Sequence, residues 1–161
     1  MAIDEATDGI ELRRLRSRML VARQSYQREL RRAAEDRTPT ELARLLRVAQ
    51  TVVEGDLREA AAVPDVRSGF SGGTPYEIAQ RFAAGELTRE QAVDELGRWR
   101  YRPGSPSDGF DWTTLDPGGF EEVRRALSDG LLDDAMYDEI LDRYIERVSS
   151  GERVAFPEES A

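Results

Sequence analysis

Residues 85–99 of this chain (Gly-Glu-Leu-Thr-Arg-Glu-Gln-Ala-Val-Asp-Glu-Leu-Gly-Arg-Trp) align without gaps on residues 130–144 (Gly-Leu-Leu-Asp-Asp-Ala-Met-Tyr-Asp-Glu-Ile-Leu-Asp-Arg-Tyr), 45 positions further on. The shared frame is a glycine (85/130), a leucine two residues later (87/132), a capping Thr88 or Asp133, a leucine (96/141), an arginine (98/143) and an aromatic (99/144). Each part has a mechanical meaning. Glycine ends a helix in the left-handed region, the leucine anchors the turn in a core, and the cap receives the free N–H groups of the next helix. A short amphipathic stretch precedes each copy, so the spacing predicts two helical hairpins. A turn grammar shared without common ancestry explains the match almost as well, because only about six of fifteen positions agree and several are generic caps.

The first strongly periodic segment lies upstream, at residues 10–34. Leu12, Leu15, Met19, Ala22, Tyr26 and Ala33 share one heptad seam, with Leu30 beside it and the arginines mostly on the other faces. Thr38-Pro39-Thr40-Glu41 then announces a second helix, with a threonine cap, a first-turn proline and a capping-box glutamate. Its expected apolar face is Leu42, Leu45, Leu46, Ala49, Val52, Val53 and Leu57, with Gly55 as a candidate kink. Two such helices across a short polar turn read as an antiparallel hairpin. Residues 63–74 are rich in Gly, Ser and Pro and read as a linker, after which Thr74-Pro75-Tyr76-Glu77 repeats the helix-start signal. Residues 100–119 carry Tyr101, Phe110 and Trp112 among Pro, Gly, Ser and Asp, and read as a loop ordered by its aromatics.

The turn at Gly130-Leu131-Leu132-Asp133, with Tyr137 in the helix that follows, resembles the SHOCT modules, short helical hairpins whose second helix follows a glycine, two aliphatics and a threonine. The likeness covers about 25 residues per copy. The basic residues that those modules carry along the second helix are missing here. What the resemblance implies is a small oligomerisation or binding hairpin.

The expected architecture is all-α. An N-terminal amphipathic helical hairpin (10–62) is joined by the glycine-rich linker (63–74) to a small C-terminal helical domain of two hairpin-like units (75–148), with flexible tails at 1–9 and 149–161. The charges are unevenly spread. Residues 1–62 hold 12 arginines and 11 acids, a balance of +1; residues 63–161 hold 11 arginines and 21 acids, a balance of −10; together these give the net −9. Within the first part, residues 10–32 hold eight arginines against Glu11 and Glu29. Charged residues make up 34% of the chain, well above the usual quarter, which suits long solvated helix faces.

Several chemistries drop out at once. With no cysteine there is no disulfide, thiolate metal site or cysteine nucleophile. With no histidine, the commonest proton shuttle and metal ligand are missing, so neither metal nor other cofactor is expected. No apolar run reaches a membrane span, and residues 1–9 are too acidic for a signal peptide, which makes the cytoplasm the expected compartment. Gly69-Phe70-Ser71-Gly72-Gly73 matches a nucleophile elbow on paper. It lacks the preceding strand and the histidine base, and reads instead as flexible linker.

Three surfaces are left as candidates. Arg98, Trp99, Arg100, Tyr101 and Arg102 alternate guanidinium with aromatic groups, a pattern suited to protein hot spots or to base stacking. The plainer reading is that the two aromatics close the end of a hairpin. Asp134, Asp138 and Asp142 form a carboxylate stripe at i, i+4 and i+8, which a basic partner would offset, as would ordinary helix-dipole effects. The seam Leu12, Leu15, Met19 and Tyr26 suits a coiled-coil partner, and its arginines suit the protein's own acidic half. Nucleic acid is disfavoured by the net charge. The expectation is a non-catalytic interaction protein, with an acidic immunity- or antitoxin-like neutraliser of a basic partner as the alternative. An enzyme working through Asp, Glu, Tyr or Arg ranks third.

Overall fold

The computed structural model describes residues 2–102 and 118–150, with side chains from residue 7 onward. Seven helices make up the described fold: α1 (Ala2–Ala33), α2 (Pro39–Leu46), α3 (Gln50–Ala60), α4 (Pro75–Ala83), α5 (Arg89–Arg98), α6 (Glu121–Ser128) and α7 (Asp134–Ser149). Among the described residues there is no strand, only an isolated bridge between Arg102 and Gly119. The all-α class follows directly. No described helix is long and apolar enough to cross a membrane.

The cap residues act as their chemistry dictates. Thr38 and Thr88 accept from the backbone N–H of Glu41 and Gln91, and each partner side chain reaches back to the cap's own N–H, closing a capping box. Thr74 accepts from Glu77 N–H and Asp133 from Met136 N–H. Gly85 and Gly130 both sit in the left-handed region, at φ 84° and 74°, where a side chain is strained. Thus the two aligned segments take one form: helix, left-handed glycine, leucine, cap, helix. Leu132 is buried and Leu87 packs against the same cluster.

Counterpart helices of the two hairpins pack on each other, α4 on α6 and α5 on α7. The core between them contains Ile78, Val93, Leu96, Val123, Met136 and Ile140, each nearly or fully removed from solvent. Gly97 explains how closely α5 and α7 cross, since a Cβ there would lie 2.8 Å from Cδ and 3.1 Å from Cβ of Arg143. A second, smaller cluster joins Leu30 of α1 to Leu42, Ala43 and Val53 of α2 and α3.

The sequence-based boundaries need three corrections. First, α1 begins at Ala2, so residues 2–9 belong to a helix and not to a tail. Second, the helix expected through residue 57 breaks at Arg47, which caps α2 in the left-handed region (φ 55°), eight positions before Gly55. Third, residues 63–74 are not a free linker. Arg28 donates to Pro64 O and Arg31 to Val63 O, Ser71 donates to Glu95 through both N–H and hydroxyl, and Phe70 packs edge-on against Trp99 at 4.8 Å. A Cβ on Gly73 would lie 2.6 Å from Asp65 O, so this segment is folded tightly on itself. The docking of α1 on the acidic half, one of the readings open from the sequence, is present alongside its contact with α3. The helix packs on both α3 and α4, and so ties the N-terminal hairpin to the C-terminal domain. Phe110, Trp112 and residues 151–161 lie outside the described residues.

Candidate functional site

Toward α4, what α1 turns inward is mostly polar. Ser17, Gln27 and Arg28 are buried or half-buried beside Val21, and its contact with α4 runs antiparallel through Arg28–Glu77, Gln24–Gln80 and Arg18–Ala84. At the centre is Glu77, whose side chain is 3% exposed and faces Arg28 at 9%. Arg28 donates two parallel bonds to its carboxylate, at 2.7 and 2.6 Å; Arg81 adds two at 3.1 and 2.9 Å, and Gly73 N–H one at 2.8 Å. Burial alone would push the Glu77 carboxyl upward. The bonds from Arg28, Gly73 and Arg81 outweigh it and hold the group below the usual carboxylate range. The other arginines of this helix also turn to the protein itself: Arg18 to Ala84 O, Arg23 to Glu59, and Arg31 to Ala60 O, Val63 O and Asp65. Much of the basic character of α1 is therefore spent on its own neighbours.

Arg13, Arg14 and Arg16 are the exception. Among the described residues they make no hydrogen bond and no ion pair. They line a half-enclosed cleft of about 540 Å³ between α1, α4 and the α6–α7 turn, where Arg125 joins them from across the gap. Among the described residues Asp129 is the only carboxylate lining it, and it already accepts from the Tyr76 hydroxyl at 2.5 Å and faces Arg125 Nε at 3.5 Å. The Arg125 guanidinium lies 4.8 Å from the centre of the Tyr76 ring. Burial first, and then Asp129, push the Tyr76 hydroxyl up to about 12, so it stays protonated at neutral pH. Ser17 also lines the cleft at 4% exposure, and its hydroxyl has no partner among the described residues.

The opposite flank of α1 carries the heptad seam, and the structure leaves it uncovered. Leu12 is 66% exposed, Leu15 49% and Met19 58%, because α3 reaches only the level of Arg23, where Glu59 pairs with it. Tyr26 is also exposed and donates to Asp56 at 2.9 Å.

Of the two readings of the Arg/aromatic segment, the plainer one describes it: the aromatics are buried and form no mixed surface with the arginines. Trp99 and Tyr101 are each 4% exposed, while Arg98, Arg100 and Arg102 face outward. The cause is extended backbone after α5: alternate side chains go to opposite sides. Tyr101 donates to Leu96 O at 2.6 Å and packs edge-on against Phe120 and Tyr144, while Arg98 pairs with Asp94 and lies over Phe70. The aromatics are core. Asp134, Asp138 and Asp142 are exposed on α7, with no ion pair among the described residues, and no group of three potential metal ligands converges there or elsewhere among those residues. Ser71, from the elbow-like pattern, is engaged by Glu95.

Nothing in the sequence marked the cleft, because Arg125 and Asp129 reach it from a distant part of the chain. The one available signal is the density of arginines at 13, 14 and 16, which by itself suits the protein's own acidic half equally well. Compared with known proteins, the chain matches no family model, no curated protein and no solved structure.

Proposed function

We propose that this chain is a non-catalytic interaction protein that docks a helix of a protein partner, or of a second copy of itself, along α1. The observation that carries this reading is the exposed row Leu12, Leu15 and Met19, at heptad spacing on a helix already held rigidly by the Arg28–Glu77 contact. Apolar side chains in such a row, on a preorganised helix, lose little conformational freedom when a partner covers them. The C-terminal hairpins supply the rigid base, which accords with the small binding hairpin implied by the SHOCT resemblance.

Size-exclusion chromatography with light scattering, followed by pull-down from the native host with nuclease treatment, tests the reading. A homo-oligomer or a stoichiometric protein partner is expected, and Leu12→Glu combined with Met19→Glu should abolish it while leaving the helical spectrum intact. A monomer that recovers no protein, or an association indifferent to the double variant, overturns the proposal.

The acidic-neutraliser reading keeps one specific observation in its favour, the stripe Asp134, Asp138 and Asp142, exposed and without an ion pair among the described residues. Salt separates the two. A charge-led complex associates far more slowly at high ionic strength, whereas an apolar helical interface does not.

A further inference from the structure

We propose that the cleft between α1, α4 and the α6–α7 turn is a binding site for phosphate, free or as the monoester of a small organic molecule. The argument starts from charge. Among the described residues, four guanidiniums (Arg13, Arg14, Arg16 and Arg125) face a single carboxylate, Asp129, an excess of three positive charges on a protein whose net charge is −9. Elsewhere α1 settles its arginines on acids and carbonyls, as Arg18, Arg23, Arg28 and Arg31 show. Among the described residues the three from α1 have none. Like charges gathered without a counter-ion repel one another, and a bound anion removes that cost.

The remaining groups point to a compact oxyanion. Guanidinium forks match the oxygens of phosphate in paired hydrogen bonds, and a dianion takes two or more forks at once. Ser17 contributes a hydroxyl without a partner from an otherwise buried position. Gln80 lines the same wall with its Oε1 occupied by Gln24 at 3.2 Å, which leaves its amide N–H groups as donors. The arginines are also held in place: Arg14 lies against the left-handed Gly85, where a Cβ would come 3.0 Å from its Nη2, and Arg125 is fixed between Tyr76 and Asp129. The volume of about 540 Å³ exceeds a bare phosphate, and the apolar Ile10, Leu20 and Leu131 line the excess. An organic group attached to the phosphate has a place to lie.

Titration calorimetry on the full chain, at ionic strength held constant with sodium chloride, tests this with inorganic phosphate and with adenosine monophosphate. Saturable binding is expected, weakened at least about tenfold by Arg13→Gln combined with Arg125→Gln and unchanged by Arg100→Gln combined with Arg102→Gln. The single variant Arg16→Gln, with helical content checked by circular dichroism, guards against loss of fold in the double one. The monophosphate binding about tenfold more tightly than phosphate assigns the site to an organic monoester; equal affinities assign it to the free ion. Dissociation constants above about 10 mM for both probes, equal binding by folded cleft variants, or binding seen only with a polynucleotide would overturn the proposal.

Discussion

Replacing Glu77 by Gln tests the central structural claim, that α1 is fastened to α4 by one buried charge cluster. The substitution keeps the shape and removes the charge, so Arg28, at 9% side-chain exposure, loses its carboxylate partner while Arg81 keeps Glu86. Breaking one partner out of a buried ion pair costs about 3–5 kcal/mol, because the remaining charge is stranded in a poor solvent. The Gln side chain also retains only one acceptor oxygen for the five donated bonds that Glu77 now receives. For a chain of this length about 2–4 °C of melting temperature accompanies each kcal/mol, so the midpoint should fall by roughly 6–20 °C. Thermal and urea unfolding followed at 222 nm read this directly. Arg28→Met with Glu77→Leu should recover part of the loss, since apolar replacement of a whole buried pair is often tolerated. A loss below about 1 kcal/mol in Glu77→Gln, the size expected of an exposed pair, would refute the reasoning.

Three further outcomes follow from the same geometry. The depressed Glu77 carboxyl contributes stability that is complete above its unfolded value near 4.5 and disappears as pH falls through the lower folded value. Unfolding curves taken from pH 6 downward should show this slope in the parent and lose it in Glu77→Gln. Trp99→Ala should cost about 3–5 kcal/mol by opening the core, while Arg100→Ala stays within about 0.5 kcal/mol; paired urea titrations would expose the buried-aromatic assignment as wrong if the two variants matched. Gly73→Ala should destabilise by about 1–3 kcal/mol, because the new methyl group meets Asp65 O at 2.6 Å and that neighbour is backbone. A neutral result in a melting experiment would mean that residues 63–74 yield more easily than their contacts imply.

What the sequence made legible was local. Thr38, Thr74, Thr88 and Asp133 were readable as caps because the acceptor and the waiting N–H lie three residues apart, and all four cap helices. The left-handed glycines at 85 and 130 were readable for the same reason. The break at Arg47 was not, since a non-glycine residue in that conformation carries no signature of its own. Periodicity found the Leu12–Leu15–Met19 seam but not the inward face, because the face that α1 buries against α4 includes Ser17, Gln24 and Arg28, and the partners of Gln24 and Arg28 lie 56 and 49 residues away. The cleft was invisible for a related reason: its charge excess exists only once α6 brings Arg125 opposite Arg13 and Arg16. The Arg98–Arg102 alternation was visible, but whether aromatic or arginine faced inward depended on Phe120 and Tyr144, which lie beyond it in the chain.

The span between Arg28 and Glu77, 49 residues, also sets an order of events during synthesis. The ribosome finishes α1 first, yet the carboxylate that fastens it is still to be translated. At about 5–20 residues per second the wait lasts roughly 2–10 s. Until it ends, a nascent helix carries an apolar row on one side and, on the other, Arg28 without its carboxylate partner. α1 is thus made well before the carboxylate that fastens it to α4, and every newly made chain passes through that interval with this contact unmade.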